Sequence, residues 1–511
     1  MAGNLQLFVV SILTALFAAY SLYRRNKILV RFPPGPRRLP LFGNLTDLPT
    51  SQQWVTYAKW RGQYGDLIGL VVLGQPIVVI NSIRTAFDLL NKRGSIYLNR
   101  PGFSLVREWG GWNWMITTMQ YGEEWKLQRK MYAQQLNPKC IQEFHHVIYV
   151  QAAKLASRLL CSPEKFQDHT RLFAGANILM ITYGHEVVDE NDEWVKLARE
   201  ANASLEVLTN VGAHPVDIFP WLRHFPMNIF GGKFARQMRH MRNLAEQLVE
   251  RPYAAVKDEV LCGRVLHSSM AHRLIDSYTS AGITAHEETI RGALAGVYVA
   301  GADTIISTID TAILALMLNP DIQKEAQHLL DVVLCGQRLP SLEDRPKFPY
   351  VDAILRETLR WNPVAPLAVP HRLVQEDSYE NMVFPAGTIF IANSWQMLHD
   401  EATYPNPTEF SPNRFLRDDG MLCDDILDPR EIAFGFGRRI CPGRHLAESS
   451  LWITISMILY LFDLTIPLDE RGEPIRPDLT YTSTFISHPT PFQCVFTPRS
   501  HTARLLLDPK K

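Results

Sequence analysis

The stretch Phe434 to Gly443, reading F-G-F-G-R-R-I-C-P-G, constrains this chain more than any other. It holds one cysteine in a frame of glycines and arginines suited to presenting a sulfur. A thiolate needs N–H donors and cationic neighbours to stay deprotonated, and Gly435, Gly437 and Gly443 let the backbone turn close to the sulfur. Arg438, Arg439 and Arg444 supply the charge. After the loop, Arg444-His-Leu-Ala-Glu-Ser-Ser-Leu-Trp-Ile-Thr-Ile has apolar helical periodicity, which predicts a helix whose N-terminal N–H groups favour an anion just before it. Taken alone, a Gly-flanked cysteine reads as a buried structural residue beside a turn. The rest of the decapeptide argues otherwise.

With 511 residues the chain can bury a large core, and length alone allows roughly two to four domains. Lys plus Arg equals Asp plus Glu at 52 each, so no global field recommends nucleic acid or an acidic partner. The seven cysteines, at 140, 161, 262, 335, 423, 441 and 494, are odd in number and lack C-x-x-C pairing. This argues against a disulfide framework or a zinc site and fits a reducing compartment.

Leu5 to Tyr23 carries no charge and is apolar apart from Gln6, Ser11, Thr14 and Ser21, about long enough to cross a bilayer as one helix. Arg24, Arg25, Lys27 and Arg31 follow, so the positive-inside rule leaves residues 1–4 in the lumen and the bulk of the chain in the cytosol. A cleaved secretory signal is the competing reading, but the segment lacks a basic n-region and its apolar run is long. On that topology the sequons at Asn44 and Asn202 are chance matches. Residues 24–48 then form a basic, proline-stiffened hinge, and residues 49–511 a single helical body.

Along that body, Leu67 to Leu73 and Pro76 to Ile80 read as two strands split by a turn at Gly74-Gln75. Arg100 to Met119, with Trp109, Trp112 and Trp114, is too irregular for a helix and too aromatic for a bare surface loop. Trp125 and Arg129 share one helical face at i, i+4, a spacing that an ordinary amphipathic helix also shows. Val216 to Pro226 mixes aromatics with prolines, and reads as a membrane-dipping segment or as a loop capping the core. Gln237 to Arg251 is helical and basic, as a solvated face often is.

Ile290 to Leu318 is the longest helical run, apolar on most sides and therefore central. Inside it, Gly301 costs about 1 kcal/mol relative to alanine, which points to a close approach or a local distortion. Asp303 and Thr304 are costly there unless hydrogen-bonded, and Thr304 can bond back to its own helix while Asp303 faces a surface pocket. Glu357 and Arg360 sit at i, i+3 on an amphipathic helix. Val364 to Pro370 then reads as an apolar, proline-bounded strand, and Pro385-Ala-Gly-Thr opens another.

The decapeptide resembles the haem-binding loop of the cytochrome P450 family, F-x-x-G-x-R-x-C-x-G, with Phe434, Gly437, Arg439, Cys441 and Gly443 in place. That resemblance implies a mainly α fold with small β-sheets, preceded here by the N-terminal transmembrane helix. It implies haem b, with Cys441 as the axial thiolate that pushes electron density into the iron and favours O–O cleavage. Phe434 would pack beside the sulfur, and Trp125, Arg129, Arg372 and Arg439 would meet the haem propionates. Ala300-Gly-Ala-Asp-Thr304 resembles the oxygen-activation motif A-G-x-D-T, in which Asp303 and Thr304 route protons. Glu357-Thr-Leu-Arg360 matches the E-x-x-R signature, a buried structural pair joined by a later arginine, here Arg414.

The implied activity is a monooxygenase that oxidises a small apolar organic substrate with O2, fed by an NADPH-dependent cytochrome reductase at the membrane of the endoplasmic reticulum. Lys126, Lys130, Arg438 and Arg444 form the docking face for that reductase or a solvated charge cluster. The overall layout looks most like fungal members, many of which act in secondary metabolism on terpenoids or polyketides. A detoxifying, sterol or fatty-acid hydroxylase, a peroxide-rearranging haem isomerase and a non-catalytic haem binder are the alternatives. The intact Asp303-Thr304 pair speaks against the last two.

Overall fold

The structure is a computed structural model describing residues 31–209, 215–218, 220–280 and 286–507. The predicted anchor at residues 5–23 and the first seven residues of the basic hinge, 24–30, lie outside the described residues. The helices that position the site are α1 (Glu123–Gln135), α2 (Phe166–Tyr183), α3 (Glu193–Thr209), α4 (Gly232–Leu261), α5 (Glu287–Leu318), α6 (Pro349–Trp361) and α7 (Arg444–Leu461). Helix α5 is the only one among the described residues that is long and apolar enough to cross a membrane, yet most of its surface is buried inside the protein. It is a core helix, and α2 packs along it more extensively than any other element.

That packing explains the mid-helix glycine. A Cβ on Gly301 would stand 2.6 Å from Ile178 Cδ1 and 2.8 Å from its Cγ1, so the missing side chain is what lets α2 approach. Helix α1 is stapled to the same helix by Tyr132, whose hydroxyl donates to Ala293 O at 2.8 Å. The boundaries follow from local chemistry. Pro349 starts α6, where its missing N–H removes nothing, and Gly184 ends α2 in the left-handed conformation with its N–H on Leu179 O and Met180 O.

The strands gather in three small sheets. One has four strands in the order β1 (Leu67–Val72), β2 (Gln75–Ile80), β6 (Ile389–Ala392) and β3 (His371–Arg372), with β2 and β6 parallel and the other pairs antiparallel. The others pair β4 (Asp377–Tyr379) with β5 (Met382–Phe384) and β7 (Phe462–Thr465) with β8 (Val495–Pro498). The first hairpin turns at Leu73-Gly74, both at positive φ, one residue earlier than the sequence suggested, because that conformation matches the twist of the flanking strands. Val364 to Pro370 is not a strand. It forms irregular turns, with Ala368 at positive φ, and only His371–Arg372 reaches the sheet.

Three apolar clusters result among the described residues. A large helical one is built around α2, α5 and α7, and a smaller one holds Val78, Ile80, Phe384, Phe390, Phe415 and Phe436 on the sheet side. The smallest is Tyr57, Ile68, Leu70 and Val79 on the other face of the first sheet. The cysteine loop lies at the seam of the first two. Phe434 packs against the helical core, whereas Phe436 is buried in the sheet-side one and meets Phe87 edge-on at 6.1 Å between centroids.

Candidate active site

Cys441 is held by its own loop. Its N–H donates to Phe434 O at 2.8 Å, closing the turn that Gly435 and Gly437 make at positive φ. Gly437 cannot be replaced, since a Cβ there would fall 2.3 Å from Leu90 O. Its N–H donates to Asn91 Oδ1 at 2.6 Å, which ties the loop to the sheet side. Helix α7 begins at Arg444, directly after the loop, with Gly443 as its cap. Burial pushes the Cys441 thiol up, and the Gly443 N–H together with the charges of Arg129 and Arg444 oppose that shift. Arg129, from α1, thus takes the place expected for Arg439; its Nη1 donates to Ile440 O at 2.7 Å. A cavity of about 200 Å³ opens beside these residues, lined by Arg129, Tyr132, Asn137, Pro442, Arg444 and His445.

Arg439 turns the other way. Its guanidinium carbon lies 4.5 Å from the centroid of the Trp125 ring, its Nε donates to Leu98 O at 2.7 Å, and its Nη2 is buried without a partner. Arg100 is buried nearby, with Nη1 on Val369 O at 2.7 Å and Pro370 O at 2.9 Å. His371 is buried too, its Nδ1 2.9 Å from Tyr97 O. Burial lowers all of these groups, and mutual repulsion adds to it. Arg439 falls to about 10, Arg100 and Arg129 also lie below the usual guanidinium range, and His371 is held neutral. Among the described residues no carboxylate acts on Arg100, Arg129 or Arg439.

One buried and two half-buried cations without an acid, and a guanidinium nitrogen left unpaired, are the environment that the carboxylates of a haem would complete. The residues present fit that group. Arg372 is not among them. It stands on the opposite face of β3 from His371, its Nη2 3.5 Å from where a Gly387 Cβ would lie. Arg100 was missed by sequence reasoning, although a basic residue between an extended segment and the aromatic loop is a visible signal. For His371-Arg372 the period-2 alternation leaves open which side chain faces inward.

The aromatic loop owes its shape to these donors. Trp109, Trp112 and Trp114 are buried, and the loop includes a short wide helical turn at Leu105–Trp109 that its composition hid. Its carbonyls are capped by side chains: Trp114 O by Gln128 and Ile116 O by Arg439 from outside, and Thr117 O by Arg100 and Thr118 O by Arg107 from the loop itself. Phe230 and Phe234 cover Trp109, with centroids at 5.3 and 5.8 Å. Asp217, in the segment read as membrane-dipping or core-capping, accepts the Leu105 N–H at 2.9 Å and is pushed up to about 6 by burial.

On α5, the Thr304 hydroxyl donates to Ala300 O at 2.8 Å, the back-bonded arrangement open to a helical threonine. Asp303 is 34% exposed, and its Oδ1 lies 3.3 Å from His488 Nε2. No sequence signal pointed to His488, which sits in a polar loop far along the chain.

Glu357 and Arg360 are fully buried. Arg360 Nε and Nη2 grip the carboxylate at 2.7 and 2.8 Å, and its remaining N–H groups reach Leu398 O, Pro407 O and Glu409 O. Arg414 Nε lies 3.2 Å from the same carboxylate, and Ser411 N–H donates to it at 2.7 Å. All five donors of Arg360 are used.

The family model described as cytochrome P450 matches residues 33–496. The chain belongs to the cytochrome P450 family. This P450 is similar to fungal relatives over almost its whole length. It is 37% identical to cytochrome P450 monooxygenase 98 of Postia placenta, covering 99% of this chain and 98% of that one. It is 37% identical to cytochrome P450 monooxygenase ple1 of Rhodocybe pseudopiperita, covering 97% and 95%. With tryptamine 4-monooxygenase of Psilocybe cyanescens the identity is 35%, covering 96% and 98%. The protein is an oxidoreductase of the P450 monooxygenase type.

Proposed function

We propose that this P450 inserts one oxygen atom from O2 into a small apolar organic substrate, with electrons from NADPH passed by a separate reductase, in a fungal secondary-metabolite pathway such as a terpenoid or polyketide route. The observation that carries the reading is a chain holding both a half-buried cysteine loop flanked by cations without an acid partner and an acid–hydroxyl pair on its central helix. When bound, haem b ligated by Cys441 supplies the redox chemistry that activates O2. Trp125, Arg129 and Arg439, with Arg100 and His371 beside them, hold its carboxylates, and Phe434 packs by the sulfur.

The chain's own contribution is proton handling and exclusion of water. Thr304 uses its hydroxyl hydrogen on Ala300 O, which leaves lone pairs free to accept from Asp303 or from a water. Asp303, partly exposed, is the group that can exchange with solvent. Buried Trp112 and Trp114 and the turns at 364–370 shape an apolar, water-poor space for substrate. The relative named for tryptamine makes a small aromatic molecule one member of the substrate class. Residues 5–23 serve as a single-pass anchor that keeps the catalytic body in the cytosol at the endoplasmic reticulum.

The test is spectroscopic and stoichiometric. The reduced carbon monoxide complex should show the thiolate Soret band, lost in Cys441→Ser, and reductase with NADPH should consume O2 in step with product. A band that survives in Cys441→Ser would mean another ligand. Substrate-induced spectral titration against a metabolite extract, followed by product mass analysis, names the substrate.

A further inference from the structure

The loop Tyr481–Pro489 is closed on itself and fastened along one stripe of α5. Tyr481 and Pro489 pair as an isolated bridge, Thr482 N–H donates to His488 O at 2.8 Å, and His488 N–H donates to Thr482 Oγ1 at 3.0 Å. On the helix side, Asp303, Ser307 and Thr311 stand at i, i+4 and i+8, one above the other. Each meets the loop. His488 Nε2 lies 3.3 Å from Asp303 Oδ1, Ser307 Oγ donates to Ser487 O at 2.6 Å, and Tyr481 OH is 3.5 Å from Thr311 Oγ1. Ser487 N–H reaches Val364 O at 2.8 Å, so the loop also ties α5 to the turns after α6.

His488 differs from the other two fasteners. Serine and tyrosine make neutral bonds, whereas an imidazole can carry a proton and release it near neutral pH. Its side chain is 25% exposed, so one side faces solvent while the other faces Asp303. The charged groups acting on it are Asp303 and Asp310 from α5 and Glu206 from α3, all acidic. Burial pulls His488 down, but its contact with Asp303 and the field of these carboxylates outweigh that and raise it above 6.5.

We propose that His488 is a positioning residue that works through Asp303, returning a proton to that carboxylate each time the relay uses one. This deepens the monooxygenase reading and rests on it. The step balances without any further reagent. The N–H bond of protonated His488 Nε2 breaks as an O–H bond forms on Asp303 Oδ1, Asp303 passes that proton to the relay and returns to the carboxylate, and the neutral imidazole is reprotonated by a solvent proton on its exposed side. Protonated His488 holds the carboxylate in place between turnovers, so the same contact orients the acid and reloads it.

Three variants separate this role from mere fastening of the loop. His488→Gln keeps a polar side chain without a titrating proton. His488→Arg keeps a permanent cation that can pair with Asp303 but does not release a proton at neutral pH. Asp303→Asn removes the partner. Selective ¹³C labelling of histidine, with the His488 resonance assigned by its absence in His488→Gln, reads the titration in the purified holoenzyme independently of turnover. Its midpoint should lie above 6.5 in the parent and drop in Asp303→Asn. An unchanged midpoint would sink the proposal.

In reductase-driven turnover both His488 variants should retain the thiolate Soret band and divert NADPH to peroxide. Coupled product formation should fall about tenfold or more, with a larger solvent isotope effect and a shifted pH profile. Recovery of coupling in His488→Arg would show a structural latch and overturn the inference. A parent enzyme that couples well beside an equally well-coupled His488→Gln would do the same, while a parent that consumes no O2 with reductase defeats the monooxygenase reading itself. If both His488 variants lose the Soret band, the titration comparison between the parent and Asp303→Asn still decides.

Discussion

Arg439 stacks its guanidinium over Trp125, with 4.5 Å from its central carbon to the ring centroid, and does not act on Cys441 as Arg129 and Arg444 do. The decapeptide therefore divides its labour: Cys441 faces Arg129 and Arg444, and half-buried Arg439 joins the buried Arg100 and His371 in a cluster without an acid. A desolvated cation–π contact is worth about 2 kcal/mol, or roughly thirtyfold in a binding constant. Arg439→Met should weaken haem retention by at least that factor, read as the ratio of Soret to protein absorbance after challenge with an apo-globin acceptor. Trp125→Leu should lose less, because the Leu98 O contact of Arg439 survives. Equal retention in parent and Arg439→Met would remove Arg439 from the haem site.

The four cations read as a reductase face do not form one group. Lys126 is exposed and paired with Glu123 at 2.6 Å, while Arg444 acts on the Cys441 thiol. Neutralising Lys126, Lys130 and Arg438 together should lower reductase-driven turnover and spare peroxide-driven turnover, with the effect fading at high salt. Arg444→Gln should instead move the Soret band and affect both modes. Parallel losses from the surface triple variant would leave no docking role for it.

The Glu357–Arg360 pair is fully buried, and each partner satisfies the other's charge. Arg360→Leu leaves the carboxylate with only Arg414 and the Ser411 N–H, and breaking a buried pair in this way costs about 3–5 kcal/mol. Arg360→Lys offers three donors where five are used, so it should also fall short. Denaturant midpoints of haem-free and haem-bound protein should drop in both variants, more in Arg360→Leu. A midpoint unchanged in Arg360→Leu would contradict the buried cluster.

What was legible in the sequence was chemistry that local spacing fixes. The cysteine loop, the helix after it, the long apolar α5 and the Glu357–Arg360 spacing each depend on neighbours within a few residues, and each folds where it was expected. What stayed hidden depends on which face a side chain takes in tertiary structure. In His371-Arg372 one residue of alternation decides which joins Arg100, and two adjacent residues carry no mark of it. Val364 to Pro370 looked like a strand because it is apolar and bounded by prolines, yet among the described residues no partner strand pairs with its backbone. His488 became visible only when its loop was laid on α5, some 185 positions from Asp303 in sequence order.

Asp310, one turn past the Ser307 fastening, is buried and accepts the Thr170 hydroxyl at 3.0 Å. Burial pushes it up to about 7, against the pull of Thr170, Arg171 and His488. Its ordinary value is 3.8, so between that and about 7 the folded protein keeps a proton that the unfolded chain has lost. Stability from this group therefore falls as pH rises through that window, and the deficit persists above it. Asp310→Asn has no such slope. Calorimetric melting of parent and variant should show a stabilising difference that is larger at pH 8 than at pH 5; a difference independent of pH would show that Asp310 stays ionised.

Gly301 and Ile178 make the sharpest packing prediction. An alanine methyl at position 301 would be 2.6 Å from Ile178 Cδ1 and 2.8 Å from Cγ1, while the Ile178 Cβ is at an ordinary 3.7 Å. Alanine gains about 1 kcal/mol of helix propensity, but overpacking costs about 1–3 kcal/mol, so Gly301→Ala should be neutral to mildly destabilising. Ile178→Ala alone leaves a cavity and should cost about 2–5 kcal/mol. In the double variant the added methyl enters the space that Ile178 vacates. The two changes should then be less harmful together than their sum, with a coupling energy of about 0.5–3 kcal/mol in a denaturation cycle. Strict additivity would mean that α2 does not rest on α5 at this point, and that the glycine is there for another reason.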